Sequence, residues 1–183
     1  MINTIFHKSF VINDSDFIFN YQNSLTPRLD SIEEDFNQNI INEIVLWKLN
    51  RYALIPESTI MLINKLSKSD TLNEALTREI LFSLLQTKGI QLPMASTILR
   101  FKNPEVYQII DQRVYRILYG KILSLHVFPS ESNTHKNIDS YIDYLAKLRT
   151  CCTALKIPFS QSDRILYEAD KRINKDVKLK NYG

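Results

Sequence analysis

The sequence predicts an all-α protein, and three observations carry that expectation. Apolar residues recur at helical rather than alternating spacing from residue 36 onward. Two segments, Ser31-Ile-Glu-Glu34 and Thr71-Leu-Asn-Glu74, have the Ser/Thr-to-Glu spacing of a capping box, in which hydroxyl and carboxylate each satisfy an orphan amide. Glycine is scarce, with 3 residues against 6 prolines, too few for a barrel of tight turns or a glycine-rich phosphate loop.

Taken in order, residues 4–12 have some strand-like content and Pro27 closes the opening segment. The Ser31 box predicts a helix through residue 50, with Phe36, Ile40, Ile41, Ile44, Val45 and Leu49 inward. Pro56 precedes a shorter helix over 58–66. The Thr71 box opens a third, with Leu72, Ala75, Leu76, Ile80, Leu81, Leu84 and Leu85 on one stripe. Gly89 stands where a left-handed residue ends that helix, and Pro93 suits the first turn of the next, which runs to about Phe101. Asn103-Pro104 breaks it. Residues 111–119 form a further helix ended by Gly120. A long helix covers about 137–155, and the last starts at Ser160 or Ser162. The expected division is an irregular N-terminal extension (1–34), a helical domain (35–176) and a basic tail (177–183).

Composition bounds the function. The chain is 183 residues long and 44% hydrophobic, ordinary for a globular domain and too apolar for a disordered one. It lacks an apolar run of the roughly 20 residues that a spanning helix needs, and residues 1–10 lack a secretory pattern, so no membrane partner and a cytoplasmic address are expected. Cys151 and Cys152 are the only cysteines, which rules out a four-cysteine iron–sulfur cluster within the chain. Net charge is +3, unevenly spread: six acids face one base between Asp14 and Asp35, and six bases face two acids between Gln86 and Lys121. Such polarity suits a protein with one face toward a polyanion. Ordinary solvated helix faces would produce it too.

The stretch from residue 84 to 119 is two helices joined by the tight connection Thr87-Lys-Gly-Ile-Gln-Leu-Pro93, then a loop and an aspartate at a helix start. A tight interhelical turn exposes backbone amides, and the following helix adds its positive dipole end. Together they bind phosphate without reading sequence. Lys88, beside Gly89, strengthens that reading, as do Arg100 and Lys102.

These residues resemble a family. Gly89-Ile-Gln-Leu-Pro-Met-Ala-Ser-Thr-Ile-Leu99 is similar to the hairpin and second helix of the helix-hairpin-helix DNA glycosylase superfamily (HhH-GPD), whose members include endonuclease III and the adenine and alkyladenine glycosylases. Ile109-Ile-Asp-Gln-Arg-Val-Tyr-Arg116 resembles the same family's aspartate block, in the family's order and separation. The resemblance implies a two-lobed all-α glycosylase-like fold and DNA as partner. It makes Asp111 the catalytic carboxylate, with Lys88, Gly89, Gln91, Arg100 and Arg113 against the DNA. It also implies a monomer with no cofactor beyond a structural monovalent cation at the hairpin. Three departures stand out: Gln91 replaces the hairpin's second glycine, Arg113 the block's histidine, and Pro93 the Schiff-base lysine of bifunctional members.

An ionised Asp111 would stabilise a cationic sugar as a base departs, and would orient the attacking water. The same residue type at a helix start also serves as a plain cap. With Pro93 at the lysine position, hydrolytic monofunctional excision is expected, leaving an abasic site; Lys88 and Lys48 are conceivable replacement amines. A flipped base needs aromatic or apolar walls, for which Trp47, Tyr52, Tyr107 and Tyr115 are candidates, each with a core-packing alternative. Arg113 suits a phosphate contact or a structural salt bridge. The expected activity is removal of a damaged or modified base, in repair or in restriction of foreign modified DNA. The alternatives are a non-catalytic hairpin module that only binds DNA and a helical protein-interaction domain.

Overall fold

The computed structural model describes residues 3–23, 25–49, 55–68, 71–126 and 130–179. Eight α-helices lie among them: α1 (Leu25–Asp30), α2 (Gln38–Leu49), α3 (Glu57–Asn64), α4 (Glu74–Leu85), α5 (Leu92–Lys102), α6 (Gln112–Tyr119), α7 (Glu131–Leu155) and α8 (Ser162–Ile173). Short 3-10 turns occur at Asp14–Phe17 and Phe159–Gln161. The described residues contain no strand, as an all-α class requires, and no helix long and apolar enough to cross a membrane.

Helix α5 is the axis of the core: ten of its eleven residues are buried. It packs on α2, α4 and α7, while α3 packs on α4 and α1 on α2. Helix α6 packs on α8, which also carries the turn at Asp14–Phe17. Burial of Ile40, Ile41, Ile44 and Val45 on α2, and of Ile80, Leu81 and Leu84 on α4, follows the apolar spacing read from the sequence. Gly120 ends α6 in the left-handed conformation, as expected, with φ 67°. Gly89 also has positive φ, at 87°, but does not end α4, which stops at Leu85 on a right-handed Gln86; it lies instead in the turn before α5.

Both capping boxes are corrected. Helix α2 is capped by Asn37, whose Oδ1 accepts from the amides of Asn39 and Ile40 at 2.9 and 3.2 Å. Ser31 instead closes α1, donating its hydroxyl to the Arg28 carbonyl at 2.9 Å. Pro27 lies within the first turn of α1 rather than ending a segment, a place where its missing amide costs nothing. Helix α4 is capped by Asn73, accepting from Leu76 at 3.0 Å, so Leu72 falls outside the helix and is exposed. Helix α7 begins earlier than residue 137, on a Ser130 cap.

The segment 4–12 forms turns rather than a strand, closed by the amides of His7 and Phe10 on the carbonyls of Thr4 and His7. It is fastened to α6 and α8. Asn3 and Asn174 exchange two hydrogen bonds of 2.9 Å, and Ile5 donates to the Ile117 carbonyl. The buried Asp16 carboxylate takes both Nε and Nη2 of Arg172. Of the six acids between 14 and 35, Asp30 is likewise paired, with Arg100 and Arg164, and the exposed Asp35 lies 3.6 Å from Lys102.

Candidate active site

The segment leading to Asp111 has neither helix nor strand to satisfy its backbone, yet Gln108, Ile109 and Ile110 are buried. Buried peptide groups need partners, and here side chains supply them. Tyr141 donates to the Gln108 carbonyl at 2.9 Å and Tyr144 to the Ile109 carbonyl at 2.7 Å, both from α7. Burial raises both phenols well above their ordinary range, so they stay protonated donors. The Ile110 amide donates to Ser96 Oγ on α5 at 3.2 Å, and the Ile109 amide to Asp163 Oδ2 at 3.4 Å. Three helices thus hold the two residues before Asp111.

Asp111 is the N-cap of α6, its Oδ1 accepting from the Val114 amide at 2.8 Å. Burial raises its pKa; Lys48 and the backbone amides of Val114 and Arg113 oppose that, and the negative charge of Asp163 adds to it. The net direction is upward, toward a better proton acceptor than an exposed aspartate.

Asp111 opens onto a cleft of about 200 Å³. Its other polar lining comes from Lys48 on α2 and from Asp163 and Arg164 at the start of α8. The apolar lining is a run of aromatic rings with Ile109. Trp47 meets Tyr21 edge-on at 5.0 Å, Tyr21 lies 6.2 Å from Phe19, and Phe19 lies 6.4 Å from Tyr167. The polar ends of two rings are tied back: Trp47 Nε1 donates to Thr26 Oγ1, and the Tyr21 hydroxyl to the Trp47 carbonyl, both at 2.7 Å. Trp47 is itself buried and also meets Phe101 edge-on at 5.2 Å, so the exposed ring here is Tyr21. A volume below the ~300 Å³ lower end of drug-sized pockets suits one ring system.

Of the expected site residues, Asp111 and Trp47 come together here, and Lys48 with them. Tyr107 does not: it is buried in the core with its hydroxyl 2.8 Å from Thr77 Oγ1. Tyr115 stacks on Tyr119 at 4.4 Å and is not among the cleft-lining residues. Tyr52 lies outside the described residues. Lys88, Gly89 and Gln91 are exposed at the turn between α4 and α5. The Ile90 amide closes that turn on the Thr87 carbonyl at 3.0 Å. Gln91 caps α5 without a side-chain hydrogen bond, Pro93 has no amide to offer, and Met94 donates to the Gln91 carbonyl.

Arg100, expected against DNA, is instead buried. It pairs with Asp30, donates to the Ser160 carbonyl at 3.1 Å and lies 3.7 Å from Asp163. A helix with apolar residues on every face has no solvent side, and that signal was present in Leu92, Met94, Ile98, Leu99 and Phe101. Arg113 takes the salt-bridge alternative, reaching Asp170 at 3.2 Å beside the bidentate Arg116–Asp170 pair, and lies over the Tyr167 ring.

Phe19, Tyr21, Asp163, Arg164 and Tyr167 were not anticipated as cleft residues. The aromatic alternation Phe17, Phe19, Tyr21 and the helical spacing of Asp163 and Tyr167 were the available signals. Among the described residues no group of three or more His, Cys, Asp or Glu side chains is placed to hold a metal ion. No family model, curated protein or solved structure matches the chain.

Proposed function

We propose that the protein is a DNA N-glycosylase that excises a damaged or modified base, on a two-lobed helix-hairpin-helix arrangement, with DNA bound by a single chain. The observation that carries this reading is Asp111 at a helix N-terminus, hydrogen-bonded to the Val114 amide and opening onto a small aromatic cleft. A base swung out of the duplex packs against the accessible rings of the cleft, such as Tyr21. Its sugar then meets Asp111, whose carboxylate stabilises the positive charge that develops at C1′ as the glycosidic bond breaks. With a raised proton affinity, Asp111 also accepts a proton from the water that attacks C1′. The products are the free base and an abasic site.

The turn between α4 and α5 is the docking element in this reading. Ser96, which holds Ile110, lies five residues after Gln91 on α5, or about 7 Å along a helix axis. Helix α5 thus joins the turn to the loop that carries Asp111. The charge on Lys88 adds sequence-independent affinity. An inert DNA-binding module would need the turn but not an aromatic cleft beside an aspartate.

The test is incubation with duplexes that each carry one modified base, followed by alkaline cleavage of any abasic site. Cleavage of at least one substrate supports the reading. DNA binding with no cleavage across alkylated, oxidised, deaminated and hypermodified bases contradicts it.

A further inference from the structure

The polar groups that line the cleft differ in how far the protein already engages them. Asp163 Oδ1 accepts from the Arg164 amide at 2.8 Å, and its Oδ2 from the Ile109 amide at 3.4 Å. The Arg164 guanidinium grips both oxygens of Asp30, at 2.6 and 2.7 Å. Asp111 faces the sugar in the proposed reaction, and the Tyr167 hydroxyl can donate or accept, so it favours neither sense. Lys48 is different. Its side chain lines the cleft, its charge acts on Asp111, and it forms no hydrogen bond or salt bridge with a described residue. It follows Ile40 and Ile44 at four-residue steps on α2, both buried, so a cation stands where that stripe calls for an apolar residue.

An ammonium donates hydrogen bonds and accepts none. Against the edge of a flipped base it is satisfied by a carbonyl oxygen and opposed by an amino group, whose own N–H bonds point toward it. Its charge also disfavours a base that is itself a cation, as purines alkylated on a ring nitrogen are. Hydrolytic loss of an exocyclic amine puts a carbonyl where the amine stood, giving uracil from cytosine and hypoxanthine from adenine. We propose that Lys48 determines the specificity of the cleft, and that the excised base is a deaminated one presenting a carbonyl oxygen to the Lys48 ammonium. This rests on the reading of the cleft as the pocket for a flipped base.

Thymine and guanine carry carbonyls too, and the duplex separates them. A deaminated base stays opposite its former partner, uracil opposite guanine and hypoxanthine opposite thymine. Being mispaired, it costs less to extrude than thymine or guanine in its own pair. The helix releases the mispaired nucleotide, and Lys48 tells uracil from cytosine by the sense of one charge-assisted hydrogen bond.

The experiment measures binding by the full chain to duplexes whose target nucleotide carries 2′-fluoroarabinose. The fluorine disfavours positive charge on the sugar, so the base is retained while affinity is read. Uracil or cytosine, and hypoxanthine or adenine, stands opposite an abasic-site analogue, so neither member of a pair gains from base pairing. The parent should bind the deaminated member of at least one pair about tenfold or more tighter than its amino counterpart. Lys48→Met should bring that ratio to about parity with the melting temperature retained, a change that a merely structural lysine would not produce. Equal affinity of the parent within both pairs overturns the proposal, whether or not Lys48→Met folds. So does a preference that survives Lys48→Met. Excision of an alkylated or oxidised base without preference for a deaminated one overturns only this inference. Failure to bind DNA, or binding with no excision of any base from ordinary deoxyribose, overturns the glycosylase reading as well.

Discussion

The Tyr144 hydroxyl donates to the Ile109 carbonyl at 2.7 Å, two residues before Asp111. This bond crosses from α7 to a buried loop that has no secondary structure of its own. Tyr144→Phe leaves that carbonyl without its partner, at about 1–3 kcal/mol of stability. Because the loop sets the place of Asp111, single-turnover excision should slow while DNA affinity stays constant. Melting curves and rates measured on the same variant check this. An unchanged rate would remove Tyr144 from the positioning of Asp111.

Asp111 itself should be separable into a cap and a charge. Asn ranks with Asp as an N-cap, so Asp111→Asn keeps the bond to Val114. A carboxyl whose pKa is raised by folding contributes stability that is complete below its unfolded value and lost as pH rises through the folded one. At neutral pH, Asp111→Asn should therefore melt no lower than the parent, and any gain should vanish in acid below the ordinary carboxylate value of 3.8. A large loss of melting temperature would make the cap the residue's main role.

The Asp30 cluster has the opposite sign. Burial alone would raise the Asp30 pKa, but Arg164 and Arg100 overcome it and hold the carboxylate below 3.8. Its contribution is present above that value and is lost as pH falls through the lowered one. Asp30→Asn should destabilise the fold at neutral pH by less than the ~3–5 kcal/mol of a fully buried pair, since Asp30 is partly exposed. The difference should close in acid. Thermal melts across pH decide it.

Lys88 and Arg100 were equivalent in sequence, two bases near one hairpin, and the structure separates them. Lys88→Glu should weaken DNA binding equally across sequences, by a factor that shrinks as salt rises, with no change in melting temperature. Arg100→Ala should instead lower the melting temperature, because it strips a buried ion cluster. Fluorescence titrations at several salt concentrations distinguish the two. Equal effects of both variants on affinity, with no effect on stability, would put Arg100 back on the DNA face.

What the sequence made legible was local. Apolar spacing on α2 and α4, the left-handed Gly89 and Gly120, and Pro93 in the first turn of α5 all depend on neighbours within a few residues. The cap of α2 was misplaced because Ser31 offers its hydroxyl equally well to the end of one helix or the start of another; only the chain's path chooses Asn37. The cleft was legible at Asp111 and Trp47 and not at its far wall. Tyr21 reaches Trp47 across 26 residues, and Asp30 reaches Arg164 across 134. Such pairings are set by packing, and no periodicity announces them. Tyr107 was misplaced for the same reason, since an aromatic ring in a loop reads alike whether it faces a cleft or, as here, Thr77.

The central claim is that the Asp111 charge breaks a glycosidic bond, and single-turnover excision by the parent and by Asp111→Asn tests it most directly. On whichever modified base the parent removes, the variant should be slower by about two to three decades, equivalent to roughly 3–4 kcal/mol for one lost electrostatic partner. Its DNA affinity should be equal or slightly tighter. The parent's rate should fall in acid with a midpoint above the ordinary carboxylate value of 3.8, a limb that the variant lacks. A folded, DNA-binding Asp111→Asn protein that excises the base at the parental rate would contradict the account.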